Sequence, residues 1–240
     1  IAREVDLDGF WIQPAAGDAG GALGACYDYY YNVLEKPRQV EENDSMFGSY
    51  LGPSSTKAEI EEVIETYGAE AEELKETQLF DAVADLLARG KVVGWHQGRA
   101  EFGPRALGNR SILGDPRNTE MQKIMNLKIK YRESFRPFAP AVLSEDAADY
   151  FELEGISPYM LIVTNIAETL RLDIESSDKD LFGIDRLNEI RSKVPAITHI
   201  DYSARVQTVH EETNSRFYGL LKSFKEKTGC SVLVNTSFNV

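Results

Sequence analysis

Only two cysteines, Cys26 and Cys230, stand in 240 residues. Two thiols cannot build a disulfide scaffold, and both read as reduced cysteines of a cytoplasmic protein. Long apolar runs are missing too. No stretch approaches the roughly 18 uninterrupted apolar residues that a membrane-spanning helix needs. Apolar residues are nevertheless plentiful, at 42% of the chain. That excludes disorder of the chain as a whole and supplies one or two buried cores. Ile1 follows no initiator Met or signal-peptide pattern, and Val240 comes right after a strand-like run. The expectation is a piece of a longer protein.

Charge of one sign is scarce in each half of the middle. Residues 41–85 hold thirteen acids and two bases, whereas residues 86–140 hold eleven bases and four acids. The whole chain carries −13. A basic segment inside an acidic protein reads either as ordinary ion pairing with acidic helices or as a pocket for a small polyanion. Nucleic acid is disfavoured, because the field of the whole molecule repels it.

The pattern alternates strands and helices, which predicts an α/β (α+β) domain. Residues 9–13 read as a strand and are followed by a small-residue turn into a helix carrying Tyr27, Tyr29 and Tyr30. Residues 36–56 read as a linker. Helices are expected at 57–67, 77–89, 119–127, 144–151 (opened by a Ser144 cap) and 214–227. Strands are expected at 91–95, 111–114, 137–143, 159–164, 204–209 and 231–234. Residues 165–195 read as a polar excursion. Both cysteines lie beside apolar runs and read as core residues.

Three strings carry chemistry. Residues 94–111 are dense in Gly and Arg after a strand. Freed backbone N–H groups and the guanidiniums of Arg99, Arg105 and Arg110 suit phosphate oxygens. In Lys128–Phe138, an extended chain would put Lys128, Lys130 and Arg132 on one cationic face. Asn235-Thr236-Ser237 then follows an apolar strand, and the carboxyl end of a strand is a common ligand position. Each string alone has a plainer reading as a turn or a solvated edge.

Together these strings resemble the O-carbamoyltransferase family of nodulation proteins and antibiotic carbamoyltransferases. The carrying segments are Glu101–Gly108, Arg132–Pro140, His199–Thr208, Asn235–Asn239 and Pro14–Ala25. The resemblance implies a C-terminal YrdC/Sua-like twisted sheet with flanking helices at 57–240. It implies that 1–56 is the end of a Kae-like, actin/sugar-kinase-like carbamoyl-transfer domain plus linker. It also implies chemistry in which carbamate, formed from carbamoyl phosphate, attacks ATP to give carbamoyl-adenylate. The carbamoyl group then passes to a hydroxyl, such as that of a nodulation lipo-chitooligosaccharide.

The Lys-x-Arg and Ser-x-Asn signature falls on Lys130, Arg132, Ser237 and Asn239. Lys130 and Arg132 would neutralise phosphate charge, and Ser237 and Asn239 would orient the nucleotide or carbamoyl group. Arg99, Arg105, Arg110, His199, Arg205 and Asn235 are further candidates for binding substrate. ATP with Mg2+ is expected. Asp18, in a Gly-Asp-x-Gly string, matches a metal ligand of the Kae-like module. The partner His-x-x-x-His string is absent from His96, His199 and His210, so a transition metal, iron, is expected only in the full-length protein. A threonylcarbamoyl-adenylate-type synthase and a non-catalytic nucleotide-binding domain are the alternatives.

Overall fold

A computed structural model of the protein describes residues 5–6, 8, 10–41, 44–172, 183, 187 and 189–238. Helix α1 spans Asp18–Asp28 and runs on as a π-turn, Tyr29–Val33. It is followed by α2 (Lys57–Tyr67) and α3 (Glu76–Ala88). Strands β1 (Val93–His96) and β2 (Arg110–Gly114) precede α4 (Met121–Ile124), which continues as a π-turn, Met125–Ile129. Then come β3 (Ala139–Leu143), α5 (Ala147–Tyr150), β4 (Ile162–Asn165) and β5 (Ser203–Val209). Helix α6 (Ser215–Thr228) leads into β6 (Val232–Ser237).

The six strands form one open mixed sheet in the order β1-β2-β6-β3-β5-β4. Only β3 and β5 run parallel; the other neighbours are antiparallel. Ala139 faces Asn235, Leu113 faces Asn235, and Ala141 faces Gln207. Residues paired across strands share a face, and alternation carries that face along each strand. Trp95, Ser111, Leu113, Leu233, Asn235, Ser237, Ala141, Arg205 and Gln207 therefore line one side. Ile112, Gly114, Val232, Val234, Val142, Val206 and Thr208 line the other.

Helices cover both sides of the central strand β6, so Val232, Leu233 and Val234 are all fully buried. This explains a continuous apolar run where a half-exposed strand would alternate. On the first side α3 places Phe80 6.5 Å from the Trp95 ring. Helix α6 packs on α3, where a Cβ at Gly219 would meet the Phe80 ring at 2.5 Å. On the other side Met121 and Met125 fill the space that Gly114 leaves open.

Sequence chemistry explains the helix ends. Asn214 opens α6 by accepting the Phe217 N–H (3.1 Å), and Gly229 at φ 72° closes it. The stripe Phe217, Leu220, Leu221 and Phe224 is fully buried. Each side chain contributes about 1.5–3 kcal/mol by leaving water. Helix α2 has a Thr56–Glu59 capping box and a left-handed Gly68, but no buried residue.

Several sequence expectations are corrected. Residues 10–13 are not a strand, because no neighbouring strand pairs with them. Residues 128–132 are not extended. The π-turn ends at Ile129, Lys130 is helical in backbone, and Tyr131 has φ 48°. Lys128, Lys130 and Arg132 therefore share no strand face, because burial of Met121 and Met125 keeps this stretch coiled. Ser144 does not cap a helix; it starts a 3-10 turn, and its hydroxyl goes to Glu145. Asn235, Thr236 and Ser237 lie within β6 rather than beyond it. Cys230 is buried, but Cys26 is exposed on α1.

Residues 49–54 hydrogen-bond along residues 99–102. The Phe102 N–H reaches the Ser49 carbonyl (2.6 Å), Gly52 N–H reaches Ala100 O (2.8 Å), and Ala100 N–H reaches Pro53 O (2.8 Å). The loop beyond turns at Gly108, whose φ is 104°. A Cβ there would lie 2.2 Å from the Phe217 ring. Gly108→Ala is therefore expected to cost about 1–3 kcal/mol of unfolding free energy, through overpacking and backbone strain. Urea denaturation of the two proteins reads it.

Candidate functional site

Much of the basic segment is neutralised locally. Arg117 grips Asp115 (2.6 Å), Arg136 pairs with Glu133 (2.8 Å), and Arg89 pairs with Asp85 of α3. The plain reading of the charge reversal holds for these. Arg110 is satisfied by carbonyls: its guanidinium donates to Gln97 O (2.6 Å), Asn109 O (2.9 Å), Gly98 O (3.1 Å) and Pro53 O (3.4 Å). Arg99 donates to Leu51 O (2.8 Å). These two arginines tie the Gly-rich loop to residues 51–53.

A different set converges where β6 ends and β3 and β5 begin. Lys130 is 8% exposed, and its ammonium donates to the Ser237 carbonyl and lies 3.4 Å from Ser237 Oγ. Burial, and then the neighbouring Arg132, hold its pKa below the ordinary lysine value. The Arg132 Nε donates to Asn126 Oδ1 (2.6 Å), and its guanidinium lies 4.9 Å from the centre of the Phe138 ring. Asn126 is fully buried and also donates to the carbonyls of Ser134 (3.1 Å) and Arg136 (2.8 Å). It thus fixes both ends of the basic turn.

Arg205, on β5, is the next cation at this edge. Its Nε is buried with no hydrogen-bond partner among the described residues, and its Nη2 meets only Met160 Sδ at 3.9 Å. Burial, and then the like charge of Arg105, push its pKa down. Arg105 itself is exposed. Two guanidiniums repelling one another beside an unpartnered Nε make a place where an anion relieves electrostatic cost. Arg132 and Arg205 keep their charge at any physiological pH.

Asn235 is 1% exposed, and its Nδ2 donates to Ala106 O (3.0 Å) and Gln207 Oε1 (2.8 Å). It therefore holds the loop that carries Arg105, while its own Oδ1 is buried without a partner among the described residues. His199 stands in the turn before β5 and gives its ring to Asp201 (2.9 Å). The Ser203 hydrogen bonds and that ring hold the Asp201 carboxyl down to about 2. Asn239 lies outside the described residues, as does the side chain of Asp18, whose backbone opens α1. Among the described residues no three His, Cys, Asp or Glu side chains gather closely enough to hold a metal ion. Tyr27 of α1 and Tyr29 and Tyr30 of the π-turn are exposed; Tyr27 stacks on half-buried Tyr31 with centroids 5.8 Å apart.

Sequence reasoning missed Glu101, Gln207, Tyr50 and Asn126, which touch the site loops from below. The only signals were a carboxylate inside a Gly- and Arg-rich string and a glutamine in an otherwise apolar strand. Lys130 with Arg132, beside the Ser237 hydroxyl, and Arg105 with Arg205 are two cationic pairs, each able to meet an anion.

The sign of its pH response follows from Lys130. Only the ammonium form attracts an anion, and its pKa is depressed in the free protein. Pyrophosphate affinity is expected to fall as pH rises through that lowered pKa, below ordinary lysine titration, with proton uptake on binding. Calorimetry in buffers of different ionisation heat reads the proton, and Lys130→Arg should remove this alkaline limb.

Known proteins resemble this chain. A family model described as the carbamoyltransferase C-terminus matches residues 84–240. An uncharacterized protein of Synechocystis sp. is 58% identical over the whole chain. Nodulation protein NolO of Bradyrhizobium diazoefficiens is 38% identical over 97% of the chain. The 3'-hydroxymethylcephem-O-carbamoyltransferase of Amycolatopsis lactamdurans is 33% identical over 95% of it. The chain spans 39%, 39% and 37% of the lengths of these relatives. By the match over residues 84–240, this chain belongs to the carbamoyltransferase C-terminus family.

Proposed function

We propose that this chain is the carbamoyl-adenylate-forming part of a cytoplasmic, ATP-dependent O-carbamoyltransferase. In this reading residues 57–240 are a YrdC/Sua-type unit, and residues 1–56 end a Kae-type carbamoyl-transfer domain. One observation carries it: Lys130 and Ser237, 107 positions apart, are in hydrogen-bond contact at a cationic sheet edge. The name of the cephem O-carbamoyltransferase supports transfer to a hydroxyl.

Water first cleaves carbamoyl phosphate to carbamate and phosphate. A carbamate oxygen then attacks the α-phosphorus of ATP, and the bond to the β-phosphate oxygen breaks to release pyrophosphate. Charge on the phosphoryl oxygens is taken up by Lys130 and Arg132, fixed in advance by Ser237, Asn126 and Phe138. Arg105 and Arg205 hold the polyphosphate, and Ser237 and Asn239 orient the nucleotide or the carbamoyl group. His199 is the remaining candidate for ligand contact. Arg99, Arg110 and Asn235 act through the loops that they hold.

Mg2+ bound with ATP supplies further neutralisation of phosphate charge. Iron belongs, in this reading, to the rest of the longer protein with Asp18. The described residues offer no metal-binding cluster that would fit it. The acceptor is a small-molecule hydroxyl, with a nodulation lipo-chitooligosaccharide as the first choice.

Pyrophosphate exchange tests this. Labelled pyrophosphate should enter ATP only when the chain also has carbamoyl phosphate, and Lys130→Ala should slow exchange about 100-fold or more. Calorimetry that finds a folded chain with no affinity for ATP sinks the proposal. Exchange that requires bicarbonate and threonine instead assigns a threonylcarbamoyl-adenylate synthase.

A further inference from the structure

The loop that presents Arg105 is bound from both sides. One oxygen of Glu101, Oε1, accepts three backbone N–H groups, from Leu107 (2.8 Å), Asn109 (2.9 Å) and Arg110 (3.1 Å). The intervening Gly108 N–H goes to Ser111 Oγ (3.0 Å). Successive N–H groups turned toward one point form a cup of the kind that binds anions. Here the chain's own carboxylate fills it.

The carbonyls of the same turn face the opposite way. Ala106 O accepts from Asn235 Nδ2 (3.0 Å). Leu107 O accepts from both Gln207 Nε2 (2.8 Å) and the Tyr50 hydroxyl (2.8 Å). Arg105 thus leaves the chain between two clamps: Glu101 at the start of the loop and the bonded turn at Ala106–Arg110. It emerges close enough to Arg205 to lower that group's pKa.

From this geometry we infer that Glu101 is a positioning residue, which holds Arg105 opposite Arg205 so that the two guanidiniums share one polyphosphate group. The inference rests on the adenylate-forming reading and deepens it. Glu101 touches no substrate; it acts through Arg105. Without the carboxylate, three N–H groups lose their acceptor, the cup opens, and the Arg105 guanidinium moves relative to Arg205. A displacement of about 1 Å at such a contact is worth up to roughly 100-fold.

A double-mutant cycle on the whole chain separates positioning from mere stability. Inorganic pyrophosphate is the probe, affinity is read by calorimetry, and folding is checked by circular dichroism. Glu101→Ala should weaken binding by about tenfold or more, while Glu101→Gln, which keeps an acceptor oxygen, should recover most of it. Arg105→Ala should weaken binding too, but adding it to Glu101→Ala should cost little more. Should Glu101→Ala not fold, Glu101→Asp, which draws the oxygen back by one methylene, takes its place in the cycle. Effects that multiply independently, or a Glu101 variant that binds as the parent does, overturn the inference. A parent chain that binds no pyrophosphate sinks the adenylate reading and this inference with it. That pattern is distinct from binding that is indifferent to Glu101.

Discussion

The turn from Ala106 to Arg110 is the constraint to which the rest of the edge is referred. The N–H groups of Leu107, Asn109 and Arg110 converge on Glu101, and the carbonyls of Ala106 and Leu107 on Asn235, Gln207 and Tyr50. These partners come from β5, β6 and residue 50, far apart in the chain. Losing one partner of a buried hydrogen bond costs about 1–3 kcal/mol, because the other group stays dehydrated. The turn therefore cannot shift without disturbing the sheet, and the sheet cannot shift without disturbing the turn. Gly108 completes the arrangement, since only a glycine leaves room for Phe217 of α6.

Against this rigid frame the positive charges fall into two groups. Arg89, Arg117 and Arg136 face carboxylates, and Arg99 and Arg110 face carbonyls. Lys130, which also gives its ammonium to the Ser237 carbonyl, and Arg205 are in addition desolvated, with pKa values pushed down. Buried cations of this kind cost stability, and binding an anion relieves that cost. The −13 of the whole chain comes largely from exposed acids on segments such as α2, while the ligand would feel the edge.

Local chemistry was well written in the sequence. Thr56 and Gly68 bracket α2 at 57–67 as expected, and Asn214 with Gly229 brackets α6 within a residue. Six of the seven expected strands also followed from apolar runs, the exception being residues 10–13. The strings at 94–111 and 231–237 announced themselves by Gly, Arg and Asn density. What stayed hidden depends on distant partners. The coil at 128–132 is set by Met121 and Met125 finding Gly114. The occupation of the Arg99 and Arg110 guanidiniums depends on carbonyls 48 and 57 positions upstream. Glu101 reads as one more surface acid until the three N–H groups close on it. The meeting of Lys130 with Ser237 was legible only through the family resemblance, because no periodicity links residues so far apart.

Strand β6 comes last of the six in sequence but third in the sheet, between β2 and β3. Before it arrives, the chain can hold only two half-sheets, β1-β2 and β3-β5-β4, each with an open apolar edge. Such edges invite pairing with the wrong partner, and their joining must await a long loop closure. The same strand brings Asn235, which fixes the Arg105 loop, and Ser237, which meets Lys130. Assembly of the fold and assembly of the anion edge are thus one event, and a nascent chain short of β6 is without both.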